Sequence, residues 1–237
     1  MVDTMVVGQV AGVEALAALG AVDFLMWVVT GISTGLTQGF SIQLSQYYGA
    51  KDFENLRKSL AHSYRLTAFI AAGVLILSQS FASLVLTGLH TPSNIIGMSL
   101  LYLRIIFCGI PATAAYNMFA SALRAMGNSK TPLTAMIIAS VLNVSLDILF
   151  VAGFGWGVAG AAIATVIAQS FSAVYCFLIL RRIDIVHLTK TDFMPASSMN
   201  ARLMKLGIPV VFQNIIIGVG GLVVQYVING YGFLFVA

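Results

Sequence analysis

Residues 132–152 read PLTAMIIASVLNVSLDILFVA, an apolar run long enough to cross a bilayer that nevertheless carries Asn143 and Asp147. About 20 apolar residues in a helix span the hydrocarbon core. On that helix the two polar residues stand at i and i+4, on one face. A carboxylate near the middle of hydrocarbon costs roughly 2.5 to 3.5 kcal/mol even on the lenient insertion scale, so it calls for a partner or an ion. The pair is a candidate buried site. The alternative reading places Asp147 near the helix end, reaching headgroups or tethering a neighbouring helix.

The rest of the composition agrees with a membrane setting. Of 237 residues, 59% are hydrophobic and 8% charged, against about 25% charged in an average soluble domain. Mean hydropathy is +0.96. Backbone groups in lipid must bond to one another, which leaves helices or closed barrels, and the apolar runs here are helix-length. The fold class is therefore all-α, a polytopic membrane protein whose first partner is the lipid bilayer. The net charge of +4 does not indicate nucleic acid, because the basic residues lie in loops between spans. Cys108 and Cys176 both sit inside apolar runs, which suits packing and provides no disulfide framework or metal cluster. No cofactor is expected. Met1 opens directly into apolar sequence containing Asp3, without the basic region of a cleavable signal peptide, as if the chain began mid-helix.

Taken in order, half a span at 1–10 precedes a turn at Gly12 and Glu14. Apolar runs follow at 15–48, 59–86, 95–123, 132–152 and up to 180, and a seventh starts at 207. Eleven of the twelve Lys and Arg residues, from Lys51 to Lys205, fall in loops of one side. The positive-inside rule makes that side cytoplasmic and places the chain in the cell's plasma or inner membrane. The twelfth, Arg104, lies within the fourth span and is expected to snorkel outward.

A shift of 222 residues aligns MVDTMVVG (1–8) with VVQYVING (223–230), setting Asp3 opposite Gln225. The chain then reads as a fragment of a repeated plan. Residues 1–180 form an amino-terminal transmembrane lobe of six helices, the first truncated. Residues 181–206 form a cytoplasmic connection, and 207–237 form helix seven, the start of a second lobe.

Depth can be counted from the short turn near Gly155. Asp147 lies 8 residues before it and Thr165 10 after it, roughly 12 to 15 Å deep at about 1.5 Å per residue. They are expected to face each other, with Asn143 and Gln169 one turn further in. Asp3 and Asp23 count to the same depth from Gly12. Asp23 also heads a hydroxyl stripe of Thr30, Thr34, Thr37, Ser41 and Ser45, which Thr113, Asn117 and Ser121 echo on the fourth span. Asp23, Thr30, Thr34, Asn117 and Gln169 are the candidate substrate-cavity residues; bonding of the hydroxyls to their own helix is the alternative. With Phe24 and Trp27 nearby, the acids suit small organic cations. Gly31, Gly35 and Gly39 form GxxxGxxxG, a close-packing face. Residues 31–35, GISTG, also match the serine-hydrolase pattern, but His62, His90 and His187 lie at or near loops, so no general base is within reach and no enzyme is expected.

Several stretches resemble the multidrug and toxic compound extrusion (MATE) family of cation-coupled antiporters: VDTMVVGQVAGVEALAALG (2–20), SQYYGAKD (45–52), ALRAMGNSKTPL (122–133), NVSLDILF (143–150), GVAGAAIATVIAQ (157–169) and LGIPVVFQN (206–214). The resemblance implies two six-helix lobes around a central cavity, with this chain as the first lobe plus helix seven, and a monomer at full length. It also implies an ion site built from Asp3, Asn143, Asp147 and Thr165, the resemblance adding Asp3 to the three that depth counting joins. Hard oxygen donors suit Na⁺ and a desolvated carboxylate pair suits H⁺; both remain open as the coupling ion. A flippase for lipid-linked precursors or polysaccharides shares the helical plan, but its pyrophosphate favours a cationic cavity.

Overall fold

Helix boundaries fall where the sequence supplies a residue that cannot continue the hydrogen-bond ladder or that caps it. A computed structural model describes residues 7–10, 12–194 and 196–230. Residues 7–10 are helical, and eight longer helices follow. These are α1 (Val13–Gly20), α2 (Asp23–Gly49), α3 (Phe53–Gly88), α4 (Ile96–Cys108), α5 (Ile110–Ala125), α6 (Lys130–Asp147), α7 (Gly157–Leu180) and α8 (Ser197–Asn229). A π-helical turn, Ile148–Gly153, extends α6, and 3₁₀ turns at Asp184–Val186 and Lys190–Phe193 punctuate the connection before α8. The described residues contain no strand. Among the described residues, five helical segments are long and apolar enough to cross a membrane, six if the bent pair α4–α5 counts as one. The protein is a multi-pass membrane protein.

The fourth apolar run is broken. Gly109 separates α4 from α5, with Pro111 in the first turn of α5, and the two helices meet at 47°. Proline lacks the N–H and clashes with the carbonyl one turn back, so a break at this point has a definite cause. The tight turn between α6 and α7 needs backbone at positive φ, which Gly155 (68°) and Gly157 (52°) supply. Asp52 caps α3, accepting from the Asn55 backbone N–H at 3.1 Å and from Asn55 Nδ2 at 2.7 Å. Those hydrogen bonds hold its carboxyl below the usual carboxylate range.

Packing forms two main apolar clusters, one toward each end of the bundle. Leu25, Leu103, Phe107, Ile110 and Val158 belong to one, and Phe40, Leu44, Leu60, Leu123 and Leu180 to the other. The second lies at the basic end, where the connection is folded onto α3. His62 is buried there, with Nδ1 2.7 Å from Asn200 Oδ1 and Nε2 3.1 Å from the Met194 carbonyl. Asp192 closes a capping box with Thr189 and stands 4.0 Å from Arg57 Nε. Helix α8 begins at Ser197, ten residues ahead of the apolar run at 207, so its polar first turns are part of this docking surface.

The seam between α2 and α8 is antiparallel and built on glycine. Phe24, Val28, Gly31, Gly35 and Gly39 stand opposite Gly221, Gly218, Asn214, Val211 and Gly207 in turn. A Cβ on Gly35 would lie 2.8 Å from Val211 N, and one on Gly39 would collide with the Gly207 backbone. Asn214 Nδ2 donates to the Gly31 carbonyl at 3.1 Å. This accounts for the GxxxGxxxG face as packing and leaves Ser33, in the middle of GISTG, buried.

Gly39→Leu is expected to destabilise the fold by about 1 to 3 kcal/mol through overpacking, whereas Gly97→Ala, helical and in open space, is expected to cost no stability and to add up to about 1 kcal/mol. Thermal unfolding in detergent measures both. Because the folded pKa of Asp52 is depressed, its stabilisation is complete above the ordinary carboxylate pKa and lost as pH falls through the lower folded value. Protection of the Asn55 amide against exchange, relative to its intrinsic rate, is expected to fall across that acidic window, and Asp52→Ala removes the step.

Candidate functional site

Helices α6 and α7 lie side by side, joined by the short turn at Gly155, and α7 is rich in small side chains. Ala161, Ala162, Ala164 and Ala168 are all buried. Small side chains let helix backbones approach and bring polar groups on facing helices within reach. Asn143 Nδ2 donates to Thr165 Oγ1 at 3.4 Å. Depth counting from Gly155 sets Asn143 level with Gln169, so this bond runs diagonally, to the residue one turn nearer the connecting turn.

Asp147, the last residue of α6, is 0% exposed. The backbone changes there from α to π geometry. A π turn is wider than an α turn, is rare, and is frequent at functional sites. Gly160 of α7 permits this widening: a Cβ there would lie 3.0 Å from Phe150 Cβ in the π turn.

Beneath Asp147 a cavity of about 250 Å³ opens between α5, α6 and α7. Asn143, Thr165 and Gln169 line it, together with Tyr116, Ser140 and Ser172. Gln169 Oε1 is buried and accepts no hydrogen bond from the described residues. Sequence reasoning missed the last three. Ser140 is three residues before Asn143 and Ser172 three after Gln169, so helical spacing contained the signal; for Tyr116 it contained none.

The remaining candidates are distributed differently. Asp3 lies outside the described residues. Asp23 is exposed and lines, with Phe24, Trp27 and Thr30, a separate cavity of about 480 Å³ at the start of α2. Thr34 Oγ1 accepts from Asn117 Nδ2 at 3.1 Å, a strut between α2 and α5. Gln169 belongs with Asn143 rather than with Asp23.

Hydroxyls of the α2 stripe bond to their own helix. Thr30 donates to Met26 O at 2.6 Å, Thr34 to Thr30 O at 3.0 Å and Ser45 to Ser41 O at 2.8 Å. Arg104 is exposed. Cys176 is buried while Cys108 is exposed, so Cys108 is not a core packing residue. Among the described residues no three His, Cys, Asp or Glu side chains cluster as a metal site.

Comparison with known proteins places this architecture. The chain is 31% identical over 231 residues to "Probable multidrug resistance protein YpnP" of Bacillus subtilis (strain 168), covering 98% of this chain and 52% of that protein. It is 25% identical over 208 residues to "Multidrug export protein MepA" of Staphylococcus saprophyticus subsp. saprophyticus, covering 86% and 46%. The chain thus spans about half the length of the curated relatives it matches. Among solved structures, the inward-facing conformation of a multidrug resistance MATE family transporter of the MOP superfamily superposes with a TM-score of 0.91 at 22% identity, covering 99% of this chain and 54% of that one. A MATE structure in the bent conformation gives 0.83 at 24% identity, covering 89% and 47%. At such identities the likeness establishes the fold. The family model described as MatE matches residues 1–149, well over half of the sequence, and the chain belongs to that family.

Proposed function

We propose that the chain is the amino-terminal lobe, residues 1–180, the connection 181–206 and the first helix of the second lobe, 207–237, of a multidrug efflux antiporter. It is coupled to Na⁺ or H⁺ and exports lipophilic organic cations by alternating access. The basic loops lie in the cytoplasm. The observation that carries the reading is Asp147, a carboxylate with no exposure in an apolar helix, one turn from Asn143 and its bond to Thr165. Burying a carboxylate in hydrocarbon is unfavourable, and a bound cation or proton removes the penalty.

The donor set fits that role. Asp147, Asn143, Thr165 and the orphaned Gln169 Oε1 are oxygens, the ligand type hard cations prefer. Asp3 is assigned to the same site by family likeness. An ion shifts a conformational equilibrium only through its differential affinity for the two states. A carboxylate that is neutralised in one state and not in the other provides that difference. On the substrate side, Asp23 beside Phe24 and Trp27 forms an acidic, aromatic mouth, which favours lipophilic cations over anions. Thr30, Thr34 and Asn117 continue along the same helix faces.

Expressed from its natural reading frame in cells lacking efflux pumps, the protein is expected to lower accumulation of a fluorescent cationic dye. Export of an anionic substrate with unchanged dye accumulation would refute the substrate class. Asp147→Asn keeps the size and removes the charge, so normal expression with a roughly 5- to 150-fold loss of ion linkage is expected. Thr165→Ala removes one neutral ligand, for about a five-fold weaker ion affinity. Wild-type transport and ion dependence in Asp147→Asn would make that residue structural.

A further inference from the structure

Apart from the ion site and the α2 mouth, a third cavity lies on the flank of the bundle, between α3, α5 and α7. Its volume is about 370 Å³. Ala68, Ala72 and Leu75 of α3, Pro111 of α5 and Phe177 of α7 line it. Ala71, Ala114 and Met118 form its buried floor. Ala68, Ala72, Pro111 and Phe177 are exposed, so the cavity opens sideways. One end is aromatic: Tyr64 meets Phe119 edge to face at 5.4 Å, and Phe119 meets Phe177 at 5.2 Å.

The position of this groove along α3 can be fixed. Residues 66–86 contain no Asp, Glu, Lys or Arg. At about 1.5 Å per residue that stretch is ~31 Å long, the thickness of the hydrocarbon core. Arg65 therefore stands at its boundary on the basic side. The α3 wall of the groove runs from Tyr64 to Leu75, roughly 16 Å, which is the depth of one leaflet. It ends beside Pro111, where the α4–α5 bend opens the space.

Charge completes the picture. On α3, Arg65, Ala68 and Ala72 fall at i, i+3 and i+7, so Arg65 stands on the groove's face of the helix at its basic end. Arg65 Nη1 donates to Phe193 O at 3.4 Å, and Nη2 stands 3.3 Å from His62 Nδ1. A guanidinium carries five N–H donors, so donors remain for a phosphate. Basic loops mark this side as the one facing the anionic leaflet.

We infer that the α3–α5–α7 groove is a binding site for one anionic phospholipid of the leaflet at the basic end, its acyl chain in the groove and its phosphate at Arg65. The chain length, the lateral opening and the charge at the boundary fit this occupant together. A zwitterionic lipid supplies the same chain with a neutral headgroup, and a free phosphate supplies the charge without a chain.

The test counts bound lipid by native mass spectrometry on the purified protein, titrated with dioleoyl phosphatidylglycerol, dioleoyl phosphatidylcholine or glycerol phosphate. About a five-fold preference for phosphatidylglycerol is expected, from one cation near the surface. Arg65→Gln is expected to abolish the preference while chain binding persists, and Arg65→Lys to keep it. Ala72→Phe fills the open side of the groove and is expected to lose binding of both lipids at unchanged helicity. A phosphatidylglycerol carrying a diazirine in its acyl chain is expected to crosslink within 64–75 or 111–119 of the wild-type protein. Equal binding of the two lipids, undiminished binding by Ala72→Phe, binding of glycerol phosphate as tight as the lipid, or crosslinks spread evenly over the lipid-facing helices would each overturn the assignment.

Discussion

Water does not reach the backbone inside a bilayer, and every other feature of this structure follows from how its helices meet that condition. Each N–H and C=O must find its partner within the protein. Apolar segments of this length therefore become helices, and burial of apolar area no longer decides which helices touch. Packing shape and a few polar contacts decide it instead. The α2–α8 seam illustrates the first: five successive positions, from Phe24 to Gly39, are matched across an antiparallel register, and glycine occurs wherever backbones come closest. Asn214 then bonds to the Gly31 carbonyl, so the contact is both close and specific.

The same condition limits what polar side chains can do. Thr30, Thr34 and Ser45 return their protons to their own helix. That satisfies a hydroxyl without recruiting another helix. Longer amides reach across instead. Asn117 joins α5 to α2, Asn143 joins α6 to α7, and Asn229 Nδ2 donates to the Leu89 carbonyl at 2.8 Å. Each ties one helix to a neighbouring element.

Asp147 stands apart as a carboxylate with no exposure in an apolar helix. Its neighbours are arranged around it by local backbone as much as by tertiary packing, since the change from α to π geometry begins at this residue. The extended turn carries Phe150 onto Trp156, with ring centroids 5.2 Å apart. Asp147 and the aromatic end of the same helix are therefore one continuous piece of structure. On the other flank, the break at Gly109–Pro111 opens the groove beside α3. Pro111 lines that groove, and irregular backbone beside a cavity is what membrane proteins tolerate.

Composition and run length determined that the protein is all-α and crosses a membrane, because the bilayer leaves little choice. Helical spacing put Asn143 and Asp147 on one face, and the short glycine turn made α6 and α7 neighbours, which brings Thr165 to Asn143. The GxxxGxxxG pattern announced a close contact. Only the tertiary structure decided that its partner is α8, that Asn143 bonds Thr165 rather than Gln169, and that Gln169 lies in a different cavity from Asp23. The periodicity of a helix specifies where each side chain points around that helix's own axis. It does not contain the rotation, tilt or register of the neighbour. Those are settled by the fit of ridges, glycines and amides between two surfaces, and that fit exists only once both helices are in place.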